Sequence, residues 1–109
     1  NTIIGASISG LATSLSNTII LADGDGVIRY YCNSAGSTGI GTTTPNASAL
    51  LDLTSTTKTL KLMNMTATQA SAISTPPKGS IIYVTDTNGT FTSAGLWMYG
   101  TSWKLILAE

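Results

Sequence analysis

Gly39-Ile40-Gly41-Thr42-Thr43-Thr44-Pro45 decides how this chain is organised. Glycine at two positions in three residues removes the Cβ twice. That opens the left-handed region of backbone space and lets another backbone come close. Pro45 fixes its own φ and drives Thr44 to an extended conformation, so no helix runs through the stretch. It reads as a tight, rigid corner whose structural residues are Gly39, Gly41 and Pro45. It divides the chain into two modules, residues 1–44 and 45–109.

Upstream of the corner, Thr18 to Leu21 predicts a short apolar strand and Val27 to Cys32 a second one. Asp23-Gly24-Asp25-Gly26 between them is a double turn signal of the hairpin type, so residues 17–32 form a β-hairpin. Arg29, the only arginine, is placed to pair with Asp23 or Asp25 across that hairpin, or with an aspartate of another chain. Asn33 to Ser37 is a second turn. The first sixteen residues are β-branched pieces split by small residues, too short for ordinary strands of an independent sheet. They fit stacked repeats or strands whose partners lie on other chains. A helix over Ser9 to Leu15 is opposed by its Gly and Ser content.

Downstream, Leu50 to Leu53 and Thr59 to Leu62 predict short strands across a Ser/Thr-rich connection. Thr66 with Gln69 three residues on is a capping box. It predicts a helix over Ala67 to Ile73, with Ala70 and Ile73 as its apolar stripe and Pro76 and Pro77 beyond its end. Such a helix is too short to stand alone and must pack on something. Ser80 to Thr85 is then a strand, Asp86 to Gly89 a turn, and Thr90 to Thr92 a short strand. Leu96 to Tyr99 and Trp103 to Leu107 close the chain as a hairpin around Gly100 to Ser102. Alternation puts Leu96 and Met98 on one face and Trp97 and Tyr99 on the other; which face is core stays open.

Charged residues make up 9% of the 109 and cancel to a net charge of zero, where about a quarter is usual. Ser and Thr together make up roughly 30%, well above ordinary usage. A neutral, hydroxyl-rich, β-branched chain suits a protein that is mostly strand and that buries surface against identical copies. With no basic cluster, nucleic acid is not an expected partner. No apolar run reaches membrane-spanning length, and no basic-then-apolar leader opens the chain. The start at Asn1 without Met is expected for a portion of something longer.

There is no histidine. That removes the usual general base, the usual metal ligand and any Ser-His or Cys-His pair. Cys32 is alone, so no intrachain disulfide forms, and it reads as a small residue between strands rather than a nucleophile. Asp23 and Asp25 do not open an EF-hand, because the twelfth position is Ser34 where a bidentate Glu is needed. Five scattered carboxylates leave a paired-carboxylate glycosidase dependent on neighbouring subunits. No enzyme activity, cofactor or metal is expected. Phe91, Trp97, Tyr99 and Trp103 read first as the core of a small domain, and second as a surface that stacks on sugar.

The order Asp23-Gly24-Asp25-Gly26-Val27-Ile28-Arg29-Tyr30-Tyr31, Asn33, Gly39 to Pro45, then Leu50-Leu51-Asp52-Leu53 resembles the distal shaft of bacteriophage tail fibres. Residues 65–103 resemble a small module that often follows such a shaft. The resemblance implies an all-β fold with one short helix, in which three parallel copies intertwine. Residues 1–44 would be a β-hairpin or β-prism-like shaft, and residues 45–109 a compact trimeric head. It implies a virion appendage whose partners are two further copies, other fibre or virion proteins, and a host surface glycan or protein. Receptor contact would fall on solvent-facing turns of the head, at Asn88, Thr90, Trp97, Tyr99 and Ser102. Other classes stay open: a virion decoration or fibre joint, a bacterial trimeric adhesin, and, less favoured, a tailspike that cuts glycan.

Overall fold

A computed structural model describes residues 1–109. The chain divides into two units, Asn1–Leu60 and Lys61–Glu109.

The first unit is a five-stranded sheet whose spatial order follows the sequence: β1 Thr2–Ile4, β2 Ile19–Ala22, β3 Ile28–Cys32, β4 Thr38–Ile40 and β5 Leu51–Leu53. The expected hairpin is present as β2 and β3, antiparallel, with Ile20 opposite Tyr31. Its turn is built by Asp23. The carboxylate accepts from the backbone N–H of Asp25 at 3.1 Å and of Val27 at 3.0 Å, and from Arg29 Nε at 2.9 Å and Nη2 at 2.6 Å. The Val27 N–H, then the Arg29 guanidinium, hold the Asp23 carboxyl below the usual carboxylate range. Of the two aspartates open to Arg29, it takes Asp23. The next turn repeats the device: Asn33 Oδ1 accepts from the N–H groups of Ala35 and Ser37, each at 3.0 Å, and leads to β4, antiparallel to β3.

Two strands join by parallel pairing. β1 runs along β2 and β5 along β4. The opening residues therefore find a partner within their own chain, because Thr2 donates to the Thr18 carbonyl at 2.8 Å and Asn1 holds Thr18 through its side chain. No helix forms over residues 9–15. What this unit lacks is a core. Ile20 is its one fully buried large apolar side chain, far too little for sixty residues to stand alone.

The second unit is a four-stranded sheet, β6 Asn64–Met65, β7 Ile81–Val84, β8 Gly95–Tyr99 and β9 Trp103–Ala108, with one helix, α1 Ala67–Ser71. β6 and β7 are parallel and α1 lies between them in sequence; the remaining pairs are antiparallel. The capping box forms: Thr66 Oγ1 accepts from Gln69 N–H at 3.2 Å and Gln69 Oε1 from Thr66 N–H at 2.9 Å. Asp86 Oδ1 accepts from Ala67 N–H at 2.6 Å, satisfying a further donor of the first turn.

Three local expectations are corrected. Thr59 to Leu62 has no strand partner, and pairing begins instead at Asn64, where Met63 and Met65 carbonyls accept from Tyr83 and Thr85. The helix stops at Ser71. Its buried stripe is Ala67 and Ala70, while Ile73 lies past the end and is 37% exposed. Thr90 to Thr92 is not a strand but a tight return closed by the Asn88–Phe91 bridge. The open question of the core face is settled by Trp97, 3% exposed, packed with Ile82, Val84, Phe91 and the two helix alanines.

Candidate functional site

The corner stretch belongs to the β4–β5 pair. Gly41 has φ +82°, and a Cβ there would collide with the Thr54 carbonyl oxygen. That approach is imposed by the parallel ladder, in which Thr54 N–H donates to Ile40 O at 3.0 Å. Gly39 is buried against the backbone of Thr42, which leaves no room for a side chain. Pro45 is half-buried and starts the return to β5, which Asp52 ties down by accepting from Asn46 N–H at 2.9 Å.

Cross-strand register sorts the first sheet into two faces. One row is Thr2, Ile19, Cys32, Thr38 and Leu51; the next on the same face holds Ile4, Leu21 and Tyr30, then Ile40 and Leu53. This face is apolar across all five strands, yet it is open. Ile4 and Leu51 are 61% and 54% exposed, and Ile19, Leu21, Ile40 and Leu53 are exposed too. A contiguous uncharged face of this kind marks an interface. Cys32 sits half-buried within it. In the second unit, α1 and Phe91 cover one face of the sheet. The opposite face presents Ile81, Met98 and Leu107, all exposed. Sequence reading noted the strands but not this surface. Its signal was there in Leu51-Asp52-Leu53 and Ile19-Ile20-Leu21, where the outer two of each three share a face.

The five candidate contact residues do not form one patch. Trp97 is core, and its indole N–H donates to the Ser93 carbonyl at 3.0 Å, so no ring face is free. Asn88 is exposed but committed locally, donating from Nδ2 to Thr68 Oγ1 at 3.2 Å. Ser102 is exposed in the β8–β9 turn. Thr90 and Tyr99 do come together, with Trp103, at a cleft of about 370 Å³. Tyr99 and Trp103 meet edge to face with ring centroids 5.3 Å apart. Of the aromatics, then, Phe91 and Trp97 are core, Trp103 is partly buried against that core, and Tyr99, half-buried, packs on Trp103.

No group of three or more acidic or cysteine side chains lies close enough to hold a metal ion, and no helix is long and apolar enough to cross a membrane.

Residues 39–108, well over half of the chain, match the family model described as the phage tail like trimerisation region. The chain belongs to that family. A trimerisation region assembles with further copies, and the role is that of a structural component of a phage tail-like assembly. A structural module of this kind fits a protein without enzyme activity. The matched stretch of the trimerisation region opens at Gly39 and closes at Ala108, so it takes in the corner, two of the three residues of β4, β5 and all of the second unit but Glu109, while the Asp23 hairpin lies outside it. No curated protein and no solved structure matches the chain.

Proposed function

We propose that this chain is the trimer-forming and host-contacting part of a phage tail fibre. Three parallel copies pack around one axis, with the apolar face of the first sheet turned inward. The observation that carries this is the coreless first unit: one large buried apolar residue, and an exposed row from Ile4 to Leu53. Only burial against other copies makes such a unit stable. The first unit serves as distal shaft and the second as head. The two units divide after Leu60, so β5, hydrogen-bonded to β4, lies in the first of them. Intertwining of the copies closes the free edges of β1 and β5.

Attachment falls to the head. Its exposed turns at Asn88, Thr90 and Ser102 present neutral hydrogen-bonding groups on a rigid sheet, and three such sites on one tip act together. The partner is a host surface glycan or protein. A fibre joint with no contact role is the rival, and adsorption separates the two. Fluorescently labelled full chain is expected to bind cells of a susceptible strain. Thr90→Ala with Ser102→Ala should reduce that binding about tenfold or more, since each weakened site counts three times. Absence of adsorption, or equal adsorption by the variant, would leave the segment a joint.

A further inference from the structure

The second unit carries a small cleft beside its core. Its volume, about 370 Å³, lies at the small end of ligand sites and suits a single ring. Two walls are aromatic: Tyr99 and Trp103, with Phe91 behind Trp103 at 5.7 Å. Ser71, Thr75 and Thr90, all exposed, add hydroxyls to the lining, and Ile73 and Pro76 complete it. None of these three hydroxyls makes a hydrogen bond within the chain. Neither does the Tyr99 hydroxyl nor the Trp103 indole N–H. Five polar groups without a partner in the chain therefore belong to residues that line this one small space. No charged side chain lines it.

The backbone at this cleft is strained. Thr75 has φ +46°, a genuine outlier for a β-branched residue. Such residues gather at ligand clamps, where the surrounding structure holds them.

A ligand that fits must offer an apolar face to an aromatic ring and a rim of neutral donors and acceptors. A pyranose has both, with axial C–H groups on its face and hydroxyls around its edge. We infer that this cleft binds one neutral hexopyranose unit of a surface glycan. The inference rests on the attachment reading above and adds its place and its sugar class. Acidic sugars are rejected, because a carboxylate entering the cleft loses water and meets no cation.

The test uses the full chain with its two tryptophan indoles labelled with ¹⁵N, titrated with D-glucose, D-galactose, N-acetyl-D-glucosamine and D-glucuronate. At least one neutral sugar is expected to shift the Trp103 indole signal saturably in the millimolar range. The Trp97 signal should stay in place, since that N–H is held by Ser93. D-glucuronate should bind at least tenfold more weakly than the best neutral sugar. Thr90→Ala and Ser71→Ala should each weaken binding about fivefold, the worth of one hydrogen bond, with an unmoved Trp97 signal reporting an intact fold. A flat Trp103 titration with all neutral sugars, equal binding of glucuronate, or unchanged affinity in both variants would overturn the inference. Cell adsorption that persists over a silent cleft overturns the cleft and leaves attachment standing. Sugar binding at Trp103 without adsorption does the reverse.

Discussion

Leu51→Asp combined with Leu53→Asp is expected to convert the trimer to dissociated chains that no longer fold cooperatively. Both leucines lie on the open face of the first sheet, in register with Thr38 and Ile40, and both are exposed in the single chain. Burying one leucine against a neighbouring copy contributes roughly 2 kcal/mol. Two per chain over three chains come to roughly 12 kcal/mol per trimer, about eight orders of magnitude in the association constant. Six carboxylates brought toward one axis add repulsion and desolvation. Asp52 between them is the control. It points to the other face and holds Asn46 N–H and Thr54 Oγ1, so Asp52→Asn should weaken the β4–β5 return while leaving trimers intact. Light scattering after size exclusion reads both. A trimer that survives the double substitution would place the interface elsewhere.

Gly41→Val carries the second large effect. A β-branched residue at φ +82° costs about 1–3 kcal/mol per chain in backbone strain alone. Its Cβ also meets the Thr54 carbonyl, and forcing the parallel strands apart adds about 1–3 kcal/mol. Summed over three chains, roughly 6–18 kcal/mol is lost from the assembly, enough to prevent it. Gly36→Ala separates the two contributions. Gly36 also has positive φ, at +85°, but its missing Cβ faces open space, so only about 1–2 kcal/mol of strain is expected. Thermal unfolding gives the comparison. Equal losses at Gly36 and Gly41 would show that the close approach to Thr54 carries no weight.

Much of the local structure was legible because its causes are local. Asp23-Gly24-Asp25-Gly26 specifies its hairpin by side-chain to backbone bonds within five residues, and Thr66 with Gln69 specifies the helix start in the same way. The Asn33 turn uses the same device as Asp23, a short polar side chain three residues before a glycine. The misses are non-local. Thr59 to Leu62 has the composition of a strand, but β7 pairs with Asn64 and Met65, a choice made by tertiary register. Ile73 looked like part of an apolar stripe, yet the helix ends two residues earlier. Trp97 and Trp103 are the same residue type in one hairpin. Their different fates, one sealed in the core and one lining a cleft, follow from where Phe91 and the Thr75-Pro76 bend fold back. The apolar face was least legible, because an exposed leucine and a core leucine read alike in sequence.

The central claim is that this chain is stable only as three copies around a common axis. Sedimentation velocity on the native full chain, run over a dilution series into the low micromolar range, tests it most directly. The account predicts a single species at three times the 11.2 kDa chain mass, with cooperative unfolding whose midpoint rises with concentration. A folded 11.2 kDa monomer persisting across the series, with a melting temperature independent of concentration, would contradict it.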